Sequence, residues 1–492
     1  MKKVFTIAAA LLMAGSAFAQ QALWSGASVE SPVVNEDGTV TFRYQAPKAV
    51  KVTVSGDFLP TQQIKYEMGD QEMTFDAPGV AELKEGPHGV WEYTTDFKVA
   101  PEMYTYTFNV DGNNVIDNNN MWVNRDVSSL TSAFIVPGER ADLYTIQDVP
   151  HGTVSKVWYE SATAGFDRRL SVYTPAGYEQ NKKAKYPVLY VLHGIGGDED
   201  AWIAQGRAAQ ILDNLIAQGK AKPMIVVFTN GNISQEAAPG ENSTGYTRPT
   251  MQLPQTMEGT FETAFPEIVK FIDTNYRTIA KKQSRAICGL SMGGFHTLYI
   301  TLNNPDMFNY SGMFSAAIGV SDASVSPIYQ DFDTKLATYF SKKPALLWIG
   351  CGNTDFLIKA NQDFVQKLND NKYPHEYLEN GGGHIGKTAV ACKQHRTSGE
   401  RRMMMLHMRD DGHVEFDFHD IAKPPFMRQR EVGSRRYAAL LDAVELHDRL
   451  CAPCRNPQAK RHFADVFGMA DDARLCGPRI ERVHVECDGA AV

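Results

Sequence analysis

Gly289-Leu290-Ser291-Met292-Gly293, with a further glycine at 294, stands between a short apolar run and a stretch of helical period. Before it, Ala286-Ile287-Cys288 has the character of a buried strand. After it, Phe295, Leu298, Tyr299 and Leu302 recur at helical spacing until Pro305. Strand, serine turn and helix in that order form a nucleophile elbow, whose flanking glycines let a sharp turn lift the hydroxyl into the open.

A serine hydroxyl is a poor nucleophile until a base takes its proton, and that base needs an acid to hold its tautomer. In an α/β-hydrolase domain the order along the chain is Ser, then Asp or Glu, then His. Ala345 to Ile349 reads as a buried strand, and the loop Gly350 to Asp355 leaves its carboxyl end, so Asp355 is the candidate acid. An aspartate there is also a favoured cap for a helix starting near Phe356. His375 to Leu378 reads as the next strand, and Gly381-Gly382-Gly383-His384 presents the candidate base, His384. His193 follows a strand too, but it precedes the serine and is read as shaping its own loop. That loop, His193-Gly194-Ile195-Gly196-Gly197, can turn a backbone N–H toward a reacting carbonyl. The oxyanion donors expected are the N–H groups of Met292 and Ile195, with Gly194 as the alternative to Ile195. This chemistry needs no cofactor and no metal.

The surrounding pattern supports a two-domain chain. Residues 25 to 138 are β in character: Val50 to Val54 and Trp91 to Phe97 alternate, and Tyr104 to Val110 is aromatic and β-branched. An all-β immunoglobulin-like sandwich over 20–140 is expected, expendable for chemistry on a small ester. From about residue 150, continuous apolar runs (Val188 to Leu192, Met224 to Phe228) alternate with helical ones (Ile211 to Ile216, Phe265 to Ile272). That predicts an α/β-hydrolase domain over 150–386, a mostly parallel sheet with helices on both faces. Chemistry then gathers beyond the carboxyl ends of the strands, although loops such as Gly231 to Pro254 do not disclose the acyl preference.

Lys2 and Lys3, the apolar run Val4 to Met13 and Ala17-Phe18-Ala19 form a secretory signal over 1–19, leaving Gln20 first and the product secreted or periplasmic. The apolar run is too short to span a bilayer, so no membrane anchor is expected. A net charge of -8 argues against general affinity for nucleic acid or an anionic membrane. Cys288 and Cys351 lie in apolar strands and read as small buried residues without a disulfide.

The runs Leu192 to Gly197, Ala286 to Gly294, Gly352 to Asp355 and Gly381 to His384 together resemble carbohydrate esterase family 1, the feruloyl and acetyl xylan esterases of the esterase D type. The resemblance covers residues 150 to 386. The preceding sandwich is similar to the family 48 carbohydrate-binding module or a related early-set domain. The resemblance implies acyl cleavage from xylan or arabinoxylan, with plant cell-wall polysaccharide or oligosaccharide esters as partners, Ser291 as nucleophile, His384 as base and Asp355 as its orienting acid. The rivals are a general short-chain carboxylesterase and a non-catalytic carbohydrate-binding protein with a decayed hydrolase domain, against which the intact Ser, Asp and His argue.

After Ile385 the resemblance stops, where the family continues with a short tryptophan-bearing helix. Residues 1–386 hold 22 Lys and 9 Arg, whereas 387–492 hold 4 Lys and 14 Arg, a switch that marks foreign sequence, a fusion or a frameshift. Arg401 to Met408 is the helix-prone candidate to replace the missing cover. Cys451-Ala452-Pro453-Cys454 lacks a second closely spaced ligand pair and is not read as a zinc site.

Overall fold

Val188-Leu189-Tyr190-Val191-Leu192 is buried along its whole length. Such a strand needs covered faces on both sides, which a parallel sheet with flanking helices provides. The computed structural model describes residues 29–68, 71–243, 255–319, 321–380, 401–408 and 414–421, all within the unit Met1–Ile421. The signal segment 1–19, His384 and the Cys451–Cys454 pair lie outside the described residues.

The hydrolase sheet has eight strands: β1 (Thr153–Ser161), β2 (Phe166–Thr174), β3 (Val188–Leu192), β4 (Ile225–Thr229), β5 (Arg285–Leu290), β6 (Tyr310–Phe314), β7 (Leu346–Gly352) and β8 (Glu376–Asn380). Their spatial order is β1-β2-β4-β3-β5-β6-β7-β8. β1, β2 and β4 pair antiparallel; every pairing from β4 through β8 is parallel. Successive residues of β3 face opposite ways, as the strand period demands. Leu189 and Val191 pack with Ile211, Leu212 and Leu215 of α1 (Ala208–Ala217). Val188, Tyr190 and Leu192 pack with Phe261, Phe265 and Ile268 of α2 (Thr260–Asn275). α3 (Met292–Asn303), α4 (Phe332–Ser341) and α5 (Ile358–Asp370) enclose a further apolar cluster around Met313, Leu347 and Ile349.

The N-terminal β domain is antiparallel, as its alternation predicts. One sheet orders Val33–Val34, Val40–Gln45, Val90–Thr94 and Lys84–Glu85. The other orders Val123–Asp126, Ser129–Val136, Glu102–Val110, Val52–Gly56 and Gly79–Glu82. Phe42 of the first sheet meets Tyr106 and Phe134 of the second edge-on, with ring centroids 5.0 and 5.5 Å apart.

Two findings depart from the sequence reading. The β domain and the turn that follows it are continuous with the hydrolase core: Met103 of Glu102–Val110, with Ala141 and Tyr144 of Glu139–Tyr144, all fully buried, share one apolar cluster with Ile211, Leu212 and Leu189. Asn214 of α1 donates to the carbonyls of Leu143 and Thr145 at 2.9 and 3.0 Å, and Arg207 donates to that of Tyr144 at 2.8 Å. An element packed this way shares its core with the hydrolase domain. Arg401–Met408, expected as a helix, is a strand paired antiparallel with Val414–Ile421. Val414, Phe416 and Phe418 alternate with charged and polar residues, and an alternating partner outweighs a modest helical propensity.

Candidate active site

Ser291 occupies the turn between β5 and α3 with φ 55° and ψ −113°. A residue with a Cβ is strained there, and strain of this kind costs about 1–3 kcal/mol. The surroundings hold it in place. Its N–H donates to the Phe314 carbonyl at 2.8 Å, and its carbonyl accepts from Ala317 and Phe295, both at 3.0 Å. The glycines of the motif are spatial requirements. A Cβ on Gly289 would lie 2.3 Å from the carbonyl carbon of Gly293, and one on Gly293 would lie 2.4 Å from the Leu192 oxygen.

Leu192 at the end of β3 is in register with Gly289 of β5, which brings the glycine loop after β3 alongside the serine. A Cβ on Gly194 would stand 3.6 Å from the Ser291 Cβ. Among the described residues, no backbone acceptor takes the N–H of Met292, Ile195 or Gly194. His193 uses both ring nitrogens on loops: Nδ1–H donates to the Gly194 carbonyl at 2.6 Å, and Nε2 accepts from the Gly231 N–H at 2.8 Å. Burial pushes its pKa down to about 4, so the ring is neutral, with its tautomer set by these two bonds. His193 thus shapes the loop, as its place in the sequence suggests. Asn232, which sequence reading missed, donates to the Gly197 carbonyl at 2.7 Å and closes the same loop from below.

Asp355 is buried in the loop between β7 and α5. Its Oδ1 accepts from the Leu357 N–H at 2.8 Å and its carbonyl accepts from Ile358 at 3.0 Å. The helix starts at Ile358 with Leu357 at its N-cap, so Asp355 stands two residues before the cap and its side chain closes a turn onto the Leu357 N–H, in place of the N-cap role weighed from the sequence. Asn361 of α5, fully buried, donates to the Ala316 carbonyl at 2.9 Å. Its neighbour Ala317 donates to Ser291, so one short segment ties the serine turn to the helix that follows Asp355. Cys351 lies in β7 as a free, buried thiol, pushed up to about 12 by burial first and the nearby Asp355 charge second. It is a structural thiol with no nucleophilic character at neutral pH.

Ser291, Met292, the Gly194–Ile195 pair and Asp355 thus all stand at the carboxyl edge of the sheet. β8 ends at Asn380 on that edge, in register with Gly352, and the glycine run leading to His384 follows. A second buried histidine, His296 in α3, is bound at Nδ1 by Glu262 of α2 at 2.9 Å, a pairing the sequence did not signal.

Residues 161–388 match a family model described as putative esterase. An endo-1,4-beta-xylanase/feruloyl esterase of Xylanibacter ruminicola is 31% identical over 344 residues, 69% of this chain and 40% of that protein. An esterase of Mycobacterium tuberculosis is 24% identical over 275 residues, 47% of this chain and 56% of that one. The chain therefore spans about half the length, or less, of these curated relatives. Among solved structures, a CE1 ferulic acid esterase of Anaeromyces mucronatus aligns at a TM-score of 0.41 with 26% identity, covering 49% of this chain and 88% of its own. The segment 161–388, which carries the hydrolase sheet and the strained serine between strand and helix, is thus similar to the esterases of this family model.

Proposed function

We propose that this chain is a secreted serine esterase that removes feruloyl or acetyl groups from xylan-type polysaccharides. The observation that carries the reading is the conformation of Ser291, held at φ 55° beside a glycine loop. Strain that the fold maintains at a hydroxyl suits a nucleophile. His384 takes the Ser291 proton as Oγ attacks the ester carbonyl, and the N–H groups of Met292 and Ile195 stabilise the oxyanion. The C–O bond to the sugar breaks as His384 returns the proton to the leaving alcohol. Water, deprotonated by the same histidine, then attacks the acyl-enzyme carbonyl, and the acid leaves as the bond to Oγ breaks and His384 returns the proton to Ser291. Asp355 holds His384 in the required tautomer. The feruloyl esterase name of the Xylanibacter relative supports the substrate class, and Phe356, exposed directly after Asp355, offers an aromatic surface for an aryl acyl group.

The test is release of ferulate and of acetate from one arabinoxylan preparation by the wild-type chain and by Ser291→Ala. Release of either acid, lost in the variant with melting unchanged, is expected. Release that survives in Ser291→Ala would refute the nucleophile.

A further inference from the structure

The turn joining Val123–Asp126 to Ser129–Val136 in the β domain contains one residue that its geometry disfavours. Asp126 pairs with Ser129, so Val127 and Ser128 form a two-residue hairpin loop. Val127 has φ 50°. Such loops favour glycine, asparagine or aspartate, and a β-branched residue at positive φ is a true outlier.

The tip of that turn rests on the glycine loop beside Ser291. A Cβ on Gly196 would lie 2.3 Å from the Val127 Cγ2, so Gly196, itself at φ 81°, accepts the valine only because it has no side chain. Arg125 secures both sides of the contact. It donates to the Val127 carbonyl at 3.0 Å and forms an ion pair with Asp198, a buried carboxylate two residues beyond Gly196. Gln205 donates to the Arg125 carbonyl from the hydrolase side. Within the loop, the Gly197 N–H donates to the Gly194 carbonyl at 3.1 Å, while His193 and Asn232 hold it from the sheet. The loop is thus gripped from within by its own domain and from outside by Val127.

We infer that Val127 and Arg125 are positioning residues for ester hydrolysis: the strained hairpin of the β domain fixes the loop Gly194–Gly197 so that its N–H faces the reacting carbonyl. The inference rests on the proposed roles of Ser291 and Ile195. An unstrained turn residue would serve the hairpin alone, whereas a valine at this φ is accounted for by the contact it makes on Gly196. Misplacing one donor by a fraction of an ångström is expected to slow turnover on the order of tenfold, because such donors act only in correct geometry.

The experiment uses the full chain with Val127→Gly, Val127→Asn and Arg125→Gln. It measures kcat and KM on methyl ferulate and an aryl acetate, the melting midpoint, and hydrogen exchange of the peptide spanning 193–198. Val127→Gly and Val127→Asn both relieve the backbone. They are expected to keep or raise the midpoint while lowering kcat about tenfold, with KM within about twofold and faster exchange of the loop amides. Arg125→Gln should show the same fall in kcat. An unchanged kcat and unchanged loop exchange in both valine variants would overturn the inference. If the wild-type chain hydrolyses neither ester, the proposed function fails on its own, and exchange of the loop alone decides whether the hairpin holds it. Unaltered exchange then overturns the clamp as well.

Discussion

The strain at Ser291 can be measured with two variants that are equally inactive. Ser291→Ala and Ser291→Gly both lack the hydroxyl, and the 8% exposure of the site means neither gains much solvent. Alanine keeps the Cβ at φ 55° and ψ −113°, whereas glycine adopts this region freely. Relief of strain contributes about 1–3 kcal/mol in favour of glycine. The greater freedom of glycine in the unfolded chain offsets about 0.4–1 kcal/mol of that. The glycine variant is therefore expected to be more stable than the alanine variant by roughly 1–2 kcal/mol, a rise in midpoint of a few degrees for a domain of this size. Scanning calorimetry of both variants beside the wild type provides the measurement, with an aryl ester assay to confirm that both are inactive. An alanine variant as stable as the glycine variant, or more so, would mean that the turn is not strained and that its conformation does not mark Ser291 as the nucleophile.

Asp355→Asn preserves the turn bond from the Leu357 N–H, since an asparagine oxygen accepts it as aspartate does, so stability should change little while kcat falls on the order of 10⁴-fold; near-normal turnover would place the acid elsewhere. His193 has its pKa lowered from 6.5 to about 4 in the folded chain, so the unfolded chain binds the extra proton first. Stability tied to this group is complete above pH 6.5 and declines toward pH 4, by on the order of 1 kcal/mol per unit; His193→Gln should flatten that part of the pH profile of urea midpoints. Gly293→Ala would drive a Cβ to 2.4 Å from the Leu192 oxygen and 2.7 Å from that of His193. Backbone atoms cannot rotate away, so a loss of about 1–3 kcal/mol and a fall in ester turnover are expected by denaturation and rate assays together. A chain beginning at Val149 loses Met103, Ala141 and Tyr144 from the shared core, on the order of 5 kcal/mol of apolar burial, and should melt lower and hydrolyse a small ester poorly.

The elements that sequence reading located are those whose signal is local. β3 and β4 are continuous apolar runs, and α3 is announced by a G-x-S-x-G turn and closed ahead of Pro305. Boundaries shifted by a few residues: β7 runs on to Gly352, past Ile349, because the ladder to β8 continues through Gly350–Leu378 and Gly352–Asn380. Asp355 is legible as a candidate acid because a strand end followed closely by a helix start is a local pattern. Asn232 and Asn361 were not, because each acts on a carbonyl brought near only by the sheet order, and an isolated asparagine in a loop or helix carries no mark of that. The hairpin 401–408 with 414–421 shows the same limit from the other side: helical propensity is a property of one segment, and strand pairing a property of two.

The glycines of the loop after β3 have separate tertiary causes. Read along the chain, the glycines of His193-Gly194-Ile195-Gly196-Gly197 all serve one purpose, close approach of backbone to a reacting carbonyl. Folded, they divide. Gly194 borders Ser291, Gly197 makes room for the His193 ring 2.9 Å from where its Cβ would be, and Gly196 makes room for Val127 of the other domain. A side chain on Gly196 would not touch the serine; it would push the β domain away. Gly196→Ala should therefore mimic the loss of the Val127 contact and also add backbone strain at φ 81°. Turnover of a small ester should fall and the melting midpoint should drop. Pairing it with Val127→Gly tests the coupling, since the vacated space admits the new methyl and only the backbone strain remains. A double variant more stable than Gly196→Ala alone is the expected result, and strictly additive losses would separate the two residues.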